Sequence, residues 1–215
     1  MKLFRKVLAI LFPEKCLGCG TNDTPLCNAC LSKVGSARTT EISWCSARHD
    51  YKHPLMRQAI WELKYKNRRG LAEILARDFH DLIFEELADT MLFSGKSQPI
   101  IVPIPLSAHK MRTRGFNQTE LLARAFARQN PGEYLFLPHA LKKVRDTKPQ
   151  ARTGSRKERL ENLRGSFRVR DPKLVHRKII ILVDDVTTTG ATLREARRVL
   201  MSAGAKKVLA VTVAH

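Results

Sequence analysis

The run from Ile179 to Thr192, IIILVDDVTTTGAT, leaves this chain fewer ways to fold than any other stretch. Five apolar residues in a row, Ile179 to Val183, need cover on both faces, which is the pattern of a strand inside a parallel sheet. Two carboxylates, Asp184 and Asp185, stand at the carboxyl end of that strand. Val186, three threonines and Gly190 follow, and then an amphipathic helix from Leu193 to Leu200. A strand, a tight hydroxyl-rich turn and a helix N-terminus make an anion site, because backbone N–H groups converge there and the helix dipole favours negative charge. Gly190 permits close backbone approach, and Thr188, Thr189 and Thr192 offer hydroxyl donors to phosphate oxygens. Asp184 and Asp185 suit vicinal hydroxyls or a hydrated metal, so a sugar 5′-phosphate meets both demands. A plain βα unit with a hydroxylated turn is the simpler alternative. The run lacks Gly-Lys-Ser/Thr and GxGxxG, which leaves nucleoside triphosphate and NAD binding with little support.

At 215 residues and 43% apolar content, the chain suits one ordinary domain plus a small appendage. A net charge of +19 and a pI of about 10.3 point to a polyanionic partner, a nucleic acid or a phosphorylated metabolite. The excess is local: Leu141 to Lys178 holds fourteen Lys/Arg against four Asp/Glu. That stretch reads either as a solvated loop or as a surface facing phosphate. No run approaches the roughly 20 apolar residues of a membrane span. The opening MKLFRKVLAILFP has too short an apolar core and no small-residue cleavage site for a signal peptide, so a short amphipathic helix and a cytoplasmic protein are expected.

Cys16-x2-Cys19 and Cys27-x2-Cys30 are two CxxC pairs separated by seven residues. Each turn presents two thiolates to one ion, and two turns complete a tetrahedral four-cysteine site for structural zinc. Gly18 and Gly20 supply the knuckle's flexible backbone, and a segment this short draws much of its folding energy from the metal. Two disulfides or plain buried thiols are the alternatives, disulfides being disfavoured in a cytosolic chain. All four ligands are protein-derived, so the site is closed and non-catalytic. Cys45, with no ligand-spaced partner, is expected to be a core thiol.

Between these ends, residues 55–66 and 71–87 carry apolar residues at helical spacing, and each is expected to form an amphipathic helix. Lys64, at the end of the first, either reaches a phosphate or is solvated. Pro99 to Pro105 reads as a second buried strand stopped by prolines, followed by a loop carrying Lys110, Arg112 and Arg114. A loop at the carboxyl end of a parallel strand is where open α/β sheets place ligands, and this one has charge enough for a pyrophosphate. A helix from Thr119 to Gln129, a weak strand at Tyr134 to Leu137 and a last strand at Val208 to Val213 complete the outline.

The acid pair and Thr-rich turn resemble the phosphoribosyl pyrophosphate (PRPP) signature of type I phosphoribosyltransferases. Together with VPIPL (Val102 to Leu106), RGFNQ (Arg114 to Gln118), LKY (Leu63 to Tyr65) and the front CxxC pairs, the whole chain resembles the ComF family of competence-associated proteins. The resemblance implies an α/β fold: a type I phosphoribosyltransferase-like parallel sheet flanked by helices, with a small N-terminal four-cysteine zinc ribbon. It divides the chain into residues 1–48 (helix and zinc module) and 49–215 (phosphoribosyltransferase-like domain), with a basic mobile loop at about 142–166. It implies that Asp184 and Asp185 hold the ribose hydroxyls, and that Thr188, Thr189, Gly190, Ala191 and Thr192 wrap the 5′-phosphate. Leu106, Ser107, Ala108, Arg114 and Lys64 are then candidates to meet the pyrophosphate with Mg2+. It further implies a role in DNA uptake, with single-stranded DNA and the uptake machinery as partners. Trp44, Tyr51 and Trp61 are read either as base-stacking aromatics or as core. Two departures matter: Cys45 stands without the further cysteine pair of some members, and Thr188 occupies the place of an acid, so no general base is named. No histidine receives a role. An active transferase, a PRPP-binding protein that acts on single-stranded DNA, and a scaffold with a vestigial pocket all remain open.

Overall fold

The computed structural model describes residues 14–37, 40, 42–92, 98–146 and 162–215. The expected N-terminal helix and residues 147–161 of the basic loop lie outside that range. In chain order the elements are α1 (Asn28–Leu31), β1 (Cys45–His49), α2 (Pro54–Tyr65), α3 (Gly70–Leu75), α4 (Phe79–Leu92), β2 (Ile100–Pro103), α5 (Ala108–Arg114), α6 (Gln118–Gln129), β3 (Leu135–Phe136), β4 (Leu141–Lys143), β5 (Phe167–Val169), a 3-10 turn (Pro172–Leu174), β6 (Ile179–Val186), α7 (Ala191–Ser202) and β7 (Lys207–Ala214).

Five strands form one parallel sheet in the order β1-β7-β6-β2-β3, and β4 and β5 pair antiparallel apart from it. The apolar run of β6 is buried on both sides, as its lack of alternation requires. Ile179, Ile181 and Val183 join one core with α2, α3, α4, α6 and the cysteine module, through Leu63, Leu71, Phe79, Phe126 and Leu26. Ile180 and Leu182 join the other with α7 and the β4–β5 pair, through Leu193, Leu200, Leu141 and Phe167. The order places β2 beside β6. From β2 the chain crosses by α6 on one face and moves outward to β3, and from β6 it crosses by α7 on the other face and moves outward to β7. The crevice above the β2–β6 border is therefore the switch point where open α/β sheets bind ligands.

Three elements differ from expectation. The single helix expected over 71–87 is broken at residues 76–78. The break turns Asp78 toward β1, where it pairs with Arg48 at 3.0 Å, and lets Arg77 donate to Asn28 Oδ1 at 3.0 Å. The loop expected after Pro105 contains α5, started by Ser107, whose hydroxyl accepts from the Lys110 N–H at 3.3 Å. β1, which straddles the boundary drawn at 48/49, is an edge strand of the sheet, pairing with β7 from Cys45–Ala210 to His49–Ala214. Among the described residues no helix is long and apolar enough to cross a membrane.

His49 ends β1 and is 5% exposed. Burial, and then the Arg48 charge, lower its pKa from 6.5 to about 4, with Asp78 opposing. The unfolded chain binds this proton at higher pH, so His49 contributes stability that is complete above about pH 6.5 and lost as the pH falls toward about 4. The thermal midpoint is expected to fall across that window, and to fall less in His49→Gln. An equal fall in both proteins would show that other groups govern it.

Candidate functional site

Successive residues of a strand point to opposite faces, and at the end of β6 this separates the two acids. Asp185 lies on the α2–α6 side and is 4% exposed. Lys64 Nζ is 2.9 Å from its Oδ1, and the Gln118 side-chain amide donates to its Oδ2 at 2.6 Å. Arg114 donates to Gln118 Oε1, and its guanidinium lies 4.9 Å from the centroid of the Tyr65 ring. Lys64, expected to be either solvated or at a phosphate, is the counter-ion of a buried acid at the crevice rim. LKY, RGFNQ and the acid pair meet in this one network.

Asp184 points to the other side and is half-buried. Burial, then the charge of Asp185, push its pKa from 3.8 to about 7, against its bond from the Asp185 N–H and the charges of Lys64 and Lys143. Lys143, at the end of β4, was not singled out from the sequence. Burial and the charge of Lys110 lower its pKa, while Asp146 and Asp184 act the other way. Nothing in a run of basic residues marks which one faces inward. Cys45 lies against this face, buried, its thiol pushed up to about 12 by burial and by Asp184.

The turn after β6 begins at Thr187, which is 3% exposed and whose hydroxyl lacks a protein partner. Thr188 is exposed, Thr189 and Thr192 are half-buried, and Gly190 and Ala191 are buried. Gly190 is the N-cap of α7 with φ +67°, and a Cβ there would lie 1.9 Å from Ile42 Cδ1. Among the described residues no side chain caps α7 and no acid lies in its first turn, so its leading N–H groups have no side-chain acceptor there. That combination suits an anion.

Across the crevice, Leu106 is half-exposed, Ser107 is buried and Ala108 is exposed. Asn117 donates to the Ile104 carbonyl at 3.1 Å, and the Thr119 hydroxyl donates to it at 2.6 Å, pinning the end of β2 to α6. Beside this segment lies a cleft of about 360 Å³ that includes Leu106, Ala108, Met111, His139 and Lys143 in its walls. The strand ends thus bring Asp184, Asp185, Lys64, Arg114 and residues 106–108 and 188–192 to one rim of the sheet.

Away from the crevice, the Sγ atoms of Cys16, Cys19, Cys27 and Cys30 all lie within 4.8 Å of one another, and none is in a disulfide. Tetrahedral zinc with bonds of about 2.3 Å separates its sulfurs by about 3.8 Å, and Cys19 and Cys27 stand 3.7 Å apart. The Gly18 and Cys27 N–H groups donate to Cys16 Sγ at 3.4 and 3.3 Å. A Cβ on Gly18 would meet Cys30 Sγ at 2.6 Å, so the knuckle requires glycine. The donor set, spacing and backbone donors fit a zinc ion.

Residues 119–215, from α6 through β6 to the end of β7, match the family described as Phosphoribosyl transferase domain. That span holds the acid pair and the turn after β6, while β2 and residues 106–108 precede it. DNA utilization protein YhgH of Salmonella typhi is 32% identical over 200 residues, 92% of this chain and 81% of that protein. Competence protein F of Haemophilus influenzae is 30% identical over 210 residues, 90% of this chain and 86% of that protein. Among solved structures, the glutamine PRPP amidotransferase from B. subtilis aligns with 18% identity and a TM-score of 0.41, over 71% of this chain and 30% of that one. This chain belongs to the ComF family and has the phosphoribosyltransferase fold.

Two predictions follow from the geometry. Lys64→Met strands a buried carboxylate and is expected to cost about 3–5 kcal/mol of unfolding free energy in urea titrations, with Asp185→Leu in the same chain recovering most of it. A loss no larger than that of a surface pair, about 1 kcal/mol or less, would deny Asp185 its buried status. For the cysteines, elemental analysis of freshly purified protein should give close to one zinc per chain. Cys16→Ser should lower both the zinc content and the thermal midpoint, and zinc-free wild type that melts unchanged would refute the assignment.

Proposed function

We propose that this chain binds PRPP with Mg2+ in the crevice between β2 and β6, as a cytoplasmic protein of DNA uptake. The supporting observation is the uncapped N-terminus of α7, entered through Gly190, directly after an acid pair at the switch point of the sheet. On this reading the 5′-phosphate takes the leading N–H groups of α7 and the hydroxyls of Thr188, Thr189 and Thr192, with the orphan Thr187 hydroxyl behind them. Asp184 holds the ribose diol. Asp185, held by Lys64 and Gln118, keeps the strand end in register and has acceptor capacity left for the second ribose hydroxyl. The pyrophosphate lies toward Leu106, Ser107 and Ala108, with Lys143 and Arg114 as the nearby cations.

Breaking the bond from the anomeric carbon to pyrophosphate builds positive charge on the ribose ring and negative charge on the leaving group. A fixed carboxylate beside the ring and cations at the far end favour that separation. Mg2+ prefers oxygen ligands, keeps several waters and is held largely through substrate phosphates. An Asp184 carboxylate at the crevice rim suits its outer shell, and the ion would neutralise the departing pyrophosphate. Thr188 offers no base to an acceptor, so acceptor activation is not assigned to the phosphate turn.

The names of the relatives, DNA utilization and competence proteins, support a setting in DNA uptake. The +19 charge supports single-stranded DNA as the macromolecular partner. Calorimetric titration of Mg2+-PRPP tests the crevice. Asp184→Asn should weaken binding by about 100-fold, roughly 2.7 kcal/mol, whereas ribose 5-phosphate should bind more weakly than PRPP to the wild type. Wild type that takes up no PRPP, or Asp184→Asn that binds as tightly as wild type, would remove this reading.

A further inference from the structure

The outer side of α2 carries a feature the crevice does not use. Trp61 and Tyr65, one turn apart, are 49% and 59% exposed, with ring centroids 5.7 Å apart. Each ring carries a cation: Lys66 Nζ lies 5.6 Å from the Trp61 centroid and the Arg114 guanidinium 4.9 Å from that of Tyr65. Arg114 closes α5, whose sequence AHKMRTR has three cationic residues and no acid. Lys110 and Met111 lie one turn back from Arg114, and both are exposed. Lys110 in turn lies near enough to Lys143 to depress its pKa. Positive charge thus runs from the two rings along α5 to β4. Glu62, the acid of α2, is held by Arg68 at 2.9 Å and does not neutralise it.

Two exposed ring faces beside a row of cations match what a single strand of nucleic acid offers, which is unpaired bases to stack and a phosphate backbone to track. A duplex keeps its base faces covered and would use the cations alone. Of the aromatics considered from the sequence, Trp44 and Tyr51 are half-buried and packed on the cores, whereas Trp61 is free to stack. We propose that the α2–α5 face is the single-stranded nucleic-acid site, with Trp61 and Tyr65 stacking successive bases and Lys66, Lys110 and Arg114 meeting the phosphates. The proposal rests on single-stranded DNA being the partner. It places the contact on the face that adjoins the ligand crevice.

Anisotropy with a labelled 20-residue oligothymidylate tests it. Trp61→Ala and Tyr65→Leu should each weaken binding by about 10-fold, Tyr65→Phe should bind as the wild type does, and all three should melt normally, since both rings lie outside the cores. The oligonucleotide should quench tryptophan emission in the wild type, and the quench should vanish in Trp61→Phe while binding persists. Raising salt should weaken the complex steeply, and a duplex of the same length should bind less well. Wild type that binds while Trp61→Ala and Tyr65→Leu are unaffected would overturn this face and leave the DNA reading intact. Wild type that fails to bind any strand would overturn both. A change of oligomeric state in Trp61→Ala without a change in strand affinity would reassign the rings to a second copy of this chain.

Discussion

Asp185 is the constraint around which the crevice is organised. A carboxylate 4% exposed at the end of a central strand costs several kcal/mol to desolvate unless it is paired and hydrogen-bonded. Lys64 takes one oxygen and Gln118 the other, so α2 and α6 must both be seated against β6 before the anion is tolerable. The apolar stripes of those helices, through Leu63 and Phe126, provide that seating. Arg114 is fixed by Gln118, and Tyr65 by Arg114, so the order at the strand end spreads outward from one buried charge.

The same pair explains the asymmetry of the acids. Burying Asp185 as a paired anion leaves its charge close to Asp184 and makes ionising that neighbour harder, which together with burial moves Asp184 to about 7. Two adjacent carboxylates of like environment would compete for one role. Strand alternation instead turns Asp185 toward Lys64 and Gln118, and Asp184 toward Lys143. On that side the proposed anion donors are backbone N–H groups at the start of α7.

What was legible in the sequence was whatever has a local signature. Five apolar residues in a row announce β6, CxxC spacing announces the cysteine cluster, and a glycine after three threonines announces a helix entry at φ +67°. Elements defined by distant partners left no such mark. β1 reads CSARH, half polar because it lies at a sheet edge, and becomes a strand only by pairing with β7. The 71–87 stripe is continuous as a pattern, but contacts of Arg77 and Asp78 with α1 and β1 break the helix. Lys64 illustrates the limit best. At a helix end, solvation and a ligand role look alike until Asp185, 121 positions away in the chain, is placed beside it.

Arg114 sits where the inner and outer arguments meet. One side of its guanidinium restrains Gln118, and through it Asp185; its plane covers the face of Tyr65. A base that stacks on Tyr65 must share that ring with Arg114 or displace it, and a displaced Arg114 loosens one of the two restraints on the buried acid. Occupancy of the outer face and order in the crevice are therefore linked through a single side chain, and linkage of this kind is reciprocal. A ligand that tightens the strand end through Asp184 and the phosphate turn would, by the same contacts, hold Arg114 on Tyr65. If both proposed sites are used, one arginine between a buried carboxylate's partner and an exposed ring sets them against one another.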